Sequence, residues 1–76
     1  MNNRKKNGSP ALLDVVALLE DQAADNLARG QVGTVVENAR DGSLLVEFSD
    51  DDGRAYAIVS CPATRLMVLH YVPQAA

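Results

Sequence analysis

The stretch Leu44-Leu45-Val46-Glu47-Phe48-Ser49 decides the fold. Apolar residues at positions 44, 46 and 48 alternate with a second set that includes Glu47 and Ser49. This period of two sends one set to a core and the other towards water, which is the pattern of a half-buried β-strand. Three aspartates and Gly53 follow directly, and such residues favour a turn. The sequence therefore predicts a strand that ends in a hairpin turn.

Strand and turn signals continue on both sides of this stretch. Asp41-Gly42 precedes it, and the glycine supplies the positive φ that a tight hairpin needs. Pro62 breaks the ladder downstream, and Pro73 stops the last apolar run because proline cannot donate to a ladder. We predict further strands over residues 32–36, 54–59 and 66–72, with one short 3₁₀ turn over residues 63–65.

Residues 10–28 permit two interpretations. Val15–Leu19 is rich in β-branched residues and fits a strand. Apolar residues also recur at helical spacing from Leu12 to Leu27, Ser9-Pro10 resembles a helix start, and Gly30 resembles a helix end. From the residues alone, a helix over residues 10–28 and a strand followed by a loop remain open.

The strand pattern predicts a mainly β protein with a single small antiparallel barrel of the SH3-like kind. About five strands and one short 3₁₀ turn would occupy residues 11–73. Residues 1–10 are expected to form a flexible basic tail, since they hold almost no apolar surface to bury, and residues 74–76 a frayed end. The alternative is an α+β fold with the helix over residues 10–28.

Four runs, at residues 13–21, 29–37, 46–53 and 66–71, carry a family resemblance. Together they resemble a family of small bacterial proteins catalogued as a domain of unknown function. The run Gly30-Gln31-Val32-Gly33-Thr34-Val35 is also similar to the glycine-containing strand of KOW-type SH3-like barrels. In outline the family is similar to the small barrel of nitrile hydratase beta subunits and their accessory proteins. The resemblance implies a β-barrel with a strand at Val15–Leu19, and it implies no active site.

Composition limits the functions that such a chain can have. Its 76 residues leave room for one small core, and its single cysteine, Cys61, cannot form an intramolecular disulfide. A cytoplasmic location is therefore expected. The longest apolar run, Val15–Leu19, is too short to cross a membrane. The net charge is −3, and Arg4, Lys5 and Lys6 leave the rest of the chain strongly acidic.

The polar residues do not predict an enzyme or a cofactor site. Asp50-Asp51-Asp52-Gly53 lacks the ligand spacing of an EF-hand loop, so a solvated hairpin tip is expected instead of a metal site. Cys61 and His70 would need a third group that orients the histidine before they could act as a nucleophile and base. We expect His70 to be a partly buried structural residue and Cys61 to be a small buried apolar one. No catalytic, metal or cofactor-binding residue is predicted.

The apolar surplus of two strands predicts association. Residues 15–19 and 66–72 are apolar on both faces, although a barrel strand has only one face towards the core. If these strands are neighbours, their outer faces merge into a patch that marks an interaction site, unless the tail or the loop at residues 22–26 covers it. We expect a non-enzymatic protein-interaction module that forms a homo-oligomer, most simply a two-fold dimer. The predicted interface residues are Val16, Leu18, Met67, Leu69 and Tyr71.

Nucleic-acid binding is the alternative function. SH3-like barrels often bind RNA, and the basic tail could make a weak, salt-sensitive contact with phosphates. Outside the tail the four arginines are dispersed over an acidic body, so nucleic acid is an unlikely partner by charge. An unidentified protein partner besides the chain itself is compatible with the pattern.

Overall fold

Five antiparallel β-strands form one sheet in the part of the chain that the computed structural model describes, residues 10–70. The strands are β1 (Val15–Leu18), β2 (Val32–Asn38), β3 (Ser43–Ser49), β4 (Ala55–Pro62) and β5 (Leu66–Val68). Single 3₁₀ turns lie at Ala23–Asp25 and at Ala63–Arg65. A mainly β fold of five antiparallel strands is thus confirmed, as is the 3₁₀ turn over residues 63–65.

The strand order is β4-β3-β2-β1-β5, so that the first and last strands are neighbours. Irregular pairing between Val35 and Glu37 in β2, and between Phe48 and Ser49 in β3, interrupts the ladders. Such bulges bend a sheet and increase its twist. Within residues 10–70, β4 and β5 each pair on one side only, so hydrogen bonding does not close the predicted barrel into a ring.

Two hairpin turns are stabilised by aspartate side chains. In the β2–β3 turn Gly42 has φ +90°, and Asp41 Oδ1 accepts bonds from Ser43 N at 3.0 Å and Ser43 Oγ at 2.6 Å. The hydroxyl bond holds the pKa of Asp41 below its ordinary value. In the β3–β4 turn Gly53 has φ +82°. The predicted positive φ at Gly42 is confirmed.

The connection between β1 and β2 is a folded loop, so the predicted strand followed by a loop is confirmed and the alternative helix over residues 10–28 is excluded. Gln22 and Leu27 exchange backbone bonds of 2.8 and 3.1 Å around the first 3₁₀ turn, which ends at Asn26 in the left-handed conformation (φ 59°). The loop closes where Gly30 N donates to Leu18 O at 2.7 Å. The segment forms a strand because β1 pairs with β2 on one side and with β5 on the other. A helix over residues 10–28 would make neither of these pairings.

The core lies on one face of the sheet. Phe48, Val46 and Leu44 project into it from β3, as the alternation predicts, while Glu47 and Leu45 are only half-buried on the opposite face. Leu27 reaches the core from the folded loop. The buried cluster consists of Val16, Leu18, Leu27, Val35, Leu44, Val46, Phe48, Cys61 and Leu66.

The last strand is shorter than predicted. β5 ends at Val68, whereas the sequence pattern predicts a strand over residues 66–72. Leu69 still donates its N–H to Val15 O at 2.8 Å, so the pairing with β1 continues one residue beyond the strand. Residues 71–72, the tail at residues 1–9 and the end at residues 74–76 lie outside the described residues. Residues 10–70 contain no helix with the length and apolar character to cross a membrane.

Candidate interaction surface

The strand register sorts the side chains of the sheet into two faces. Val16 lies opposite Gly33 in β2 and Val68 in β5, and its side chain is fully buried in the core. Because successive strand residues point to opposite faces, the residues next to these positions face away from the core. We call that side the outer face, and its members include Val15, Ala17, Val32, Thr34, Leu45, Glu47, Ser49, Ile58, Met67 and Leu69.

The predicted interface residues do not share one face. Val16 and Leu18 are 0% and 2% exposed and belong to the core, so their assignment to an interface is wrong. Met67 is 49% exposed on the outer face, and Leu69 is half-buried beside Val15. Tyr71 lies outside the described residues. A five-residue apolar run such as residues 15–19 does not reveal which alternate residues face inward. Val16 and Leu18 are the inward-facing ones.

An apolar patch nevertheless exists on the outer face. Met67 of β5 and Val32 of β2 are the register partners of Ala17, which lies between them in β1. Val32 is 42% exposed, and Ala17 between the two larger side chains is only 6% exposed. We define the apolar patch as Ala17, Val32, Met67 and Leu69. Exposed Leu19 follows directly after β1 at its border.

Sequence reasoning missed Val32 as a surface residue. The pattern predicts only that Val32 belongs to a strand, because the turn after Gly30 hides where the alternation of β2 begins. The useful signal is Gly33. A Cβ on Gly33 would lie 2.6 Å from Val46 Cγ1, so this glycine marks the face that packs on the core, and Val32 must face outward.

A groove of about 330 Å³ adjoins the apolar patch. Val32 belongs to both. Val15 of β1 and its register partner Thr34 of β2 also line the groove. Glu47 and Asp51 add carboxylates on the β3 side. Half-buried Glu47 lies directly opposite Thr34, so a negative charge stands next to apolar surface. Such a groove can accept a segment that combines apolar and positively charged groups.

The aspartate-rich turn forms the predicted hairpin tip. Asp50 Oδ1 accepts bonds from Asp52 N at 2.9 Å and Arg54 N at 3.0 Å, and Gly53 N donates to Asp50 O at 3.0 Å. One carboxylate is thereby committed to the turn, and all three side chains are exposed. Residues 10–70 bring together no group of three side chains able to hold a metal ion.

Cys61 and His70 occupy different environments. Cys61 is fully buried in the core cluster, as expected, and burial raises the pKa of its thiol. His70 is exposed beyond the end of β5, so the expectation of a partly buried histidine is wrong. A buried neutral thiol is a poor nucleophile, because the thiolate is the reactive form.

A comparison with known protein families matches the same part of the chain that forms the sheet. The family model named Domain of unknown function (DUF4926) matches residues 12–68, which run from just before β1 to the end of β5. The chain belongs to the DUF4926 family. No curated protein and no solved structure matches it. The resemblance to a domain of unknown function is thus confirmed, whereas the similarity to SH3-like barrels and to nitrile hydratase proteins stays a prediction.

Proposed function

We propose that this DUF4926 protein is a non-enzymatic interaction module that associates with a second copy of itself through the apolar patch. The observation that carries the proposal is the exposure of Met67 and Val32 on either side of Ala17 on the outer face. Contiguous exposed apolar surface of this kind is typical of interaction sites. A two-fold dimer is the simplest arrangement, because each copy presents the same patch to the other.

The position of the charges supports the same surface. Met67, Ala17 and Val32 belong to three adjacent strands, and Glu47 of the outer face lies one strand further on, in β3. In a dimer centred on Ala17, the two copies of Glu47 would lie at the rim, where water screens their repulsion. The centre of the interface would then be apolar and its edge polar.

The small size of the patch sets the strength of the dimer. Stable dimers usually bury about 800 Å² per partner, and interfaces below that range form weak complexes. Four patch residues with Leu19 at the border cover less area, so we expect a dissociation constant in the micromolar range. The dimer would therefore form only at sufficiently high protein concentration.

The absence of catalytic activity is part of the proposal. Its support is that Cys61 is buried with a raised pKa, His70 is exposed, and Asp50 is committed to its turn. The buried free thiol is also compatible with a reducing cytoplasm, which we propose as the compartment. The SH3-like fold belongs to the same proposal, and the pairing of β1 with β5 supports it.

A pair of single substitutions tests the proposed surface. Met67→Asp places a carboxylate at the centre of the patch, and Ile58→Asp places one at an equally exposed position on the edge strand β4. We expect light scattering after gel filtration to show a dimer for the wild type and Ile58→Asp, and a folded monomer for Met67→Asp. Circular dichroism confirms that both variants keep the strand content.

Two results would contradict the proposed surface. A dimer that persists in Met67→Asp would exclude the apolar patch. A dimer lost in Ile58→Asp and kept in Met67→Asp would instead identify the unpaired edge of β4 as the interface.

A further inference from the structure

We propose that the groove on the outer face binds the chain's own N-terminal segment, residues 1–9, through the cations of Arg4, Lys5 and Lys6. The floor of the groove is formed by Val15, Val32 and Thr34, and its β3 side by Glu47 and Asp51. This inference rests on charge and reach. Because Val32 belongs both to the groove and to the apolar patch, docking of the segment and dimer formation compete for that residue.

Charge complementarity is the first argument. All ten acidic side chains of the protein lie within residues 10–70, together with only four arginines. Among these arginines, Arg65 lies 3.8 Å from Glu20, away from the groove. No hydrogen bond or ion pair within residues 10–70 engages the side chain of Glu47 or Asp51. The three remaining cations of the chain are those of the N-terminal segment.

The chemistry of lysine and arginine fits the two parts of the groove. Their aliphatic stems cover apolar surface while their charged ends remain hydrated. Stems laid over Val32 and Thr34 of β2 would bring the charged groups to Glu47 and Asp51 on the adjacent strand and turn. A purely acidic or purely apolar segment would satisfy only one side of this groove.

The N-terminal segment is long enough to reach the groove. Ala11 and Asp14 form a turn through bonds of 2.7 and 2.9 Å, and Asp14 O accepts a bond from Val35 N. Glu47 lies one strand beyond β2, about 10 Å from β1 at the usual strand spacing. Lys6 is four residues from Pro10, and an extended chain covers about 13 Å over that length, while Arg4 reaches about 20 Å. Both carboxylates are therefore within reach.

Amide chemical shifts of the ¹⁵N-labelled full chain test the contact from both sides. Replacing Arg4, Lys5 and Lys6 by Ser should shift the amides of Thr34, Glu47 and Ser49. Glu47→Gln combined with Asp51→Asn should reciprocally shift the amides of residues 4–6. The matched control is Glu37→Gln, an exposed acid at the other end of β2, which should leave residues 4–6 unchanged. Sodium chloride at 1 M should abolish the difference, since it screens exposed charges.

Trypsin gives a second measurement. Exposed ion pairs are individually weak, so two of them hold the segment about threefold to thirtyfold more firmly. Cleavage after residues 4–6 should accelerate by that factor in the Glu47→Gln, Asp51→Asn chain, while cleavage after Arg40, in an exposed turn, stays constant.

The outcomes separate this inference from the proposed dimer. Reciprocal shifts that persist in the Met67→Asp background support docking within one chain. Unchanged amides in the groove after neutralisation of the three cations would overturn it, whatever the oligomeric state. Shifts that vanish with dilution would also overturn it, because they would place the segment of one copy on another copy.

Discussion

Gly33 of β2 and Phe48 of β3 are register partners in such close contact that a Cβ on Gly33 would lie 2.9 Å from Phe48 Cδ1. Phe48 is fully buried and is the largest side chain at the centre of the core. The hydrogen side chain of Gly33 thus leaves the space that the aromatic ring fills. This pair fixes which face of the sheet is the core and, by alternation, which face is exposed.

Gly33→Ala should lower the free energy of unfolding by about 2–3 kcal/mol, because its methyl group would overlap Phe48, Val46 and the Glu47 carbonyl oxygen. Urea denaturation followed by circular dichroism measures the change. Thr34→Ala is the matched control on the outer face, with an expected loss below about 1 kcal/mol. Equal stabilities of Gly33→Ala and Thr34→Ala would contradict the packing described for this pair.

Asp50→Ala should destabilise the β3–β4 hairpin by about 1 kcal/mol, since two backbone N–H groups lose their acceptor. Asp51→Ala removes a neighbouring carboxylate that accepts neither bond, so its effect should stay within about 0.5 kcal/mol. Thermal unfolding of the two variants compares them directly. A destabilisation by Asp51→Ala as large as that by Asp50→Ala would show that charge at the tip, not the bonding of Asp50, is decisive.

The stability of the protein should fall at alkaline pH through Cys61. Burial raises the pKa of this thiol in the folded chain, so the unfolded chain releases the proton at lower pH. The contribution of the protonated thiol to the free energy of unfolding is fully present below the ordinary pKa of 9.0. It is lost as the pH rises from 9.0 towards the pKa of the folded chain. The free energy of unfolding, measured between about pH 7 and 10.5, should fall more steeply with rising pH for the wild type than for Cys61→Ala.

Thiol labelling supplies the corresponding kinetic test. A disulfide reagent should modify Cys61 slowly in the folded protein and rapidly in urea, because the thiol is buried and mostly protonated when folded. Rapid labelling of the folded chain at pH 8 would contradict the burial of Cys61.

The strands β2 and β3 were predictable because local pattern and tertiary structure agree there. β4 continues beyond the predicted residues 54–59 to Pro62, which pairs with Ser43, so the expectation that Pro62 breaks the ladder is wrong; an edge strand tolerates proline. Alternation identified the inward side of β3, and the glycine turns identified both hairpins. Residues 10–28 were not decided locally, since the strand at Val15–Leu18 depends on pairing with β2 and β5. The resemblance to a family, rather than the periodicity, favoured the strand there.

The candidate surface was predictable in its existence but not in its members. The runs at residues 15–19 and 66–72, which are apolar on both faces, indicated apolar surface outside the core, and exposed Met67 belongs to that surface. Val16 and Leu18 were assigned to that face because a one-residue shift in register exchanges the two faces of a strand. The pairing of β1 with β2 and β5 fixes that register, and the contact of Gly33 with its β3 neighbours marks the inward face; both join residues that are distant in the sequence.

Sedimentation of the wild-type chain over a concentration series tests the central claim most directly. Self-association through the apolar patch predicts a weight-average mass that rises from the chain mass of 8.1 kDa towards twice that value in the micromolar range. A mass that stays at 8.1 kDa up to high micromolar concentration would contradict the claim that this protein functions as a self-associating module.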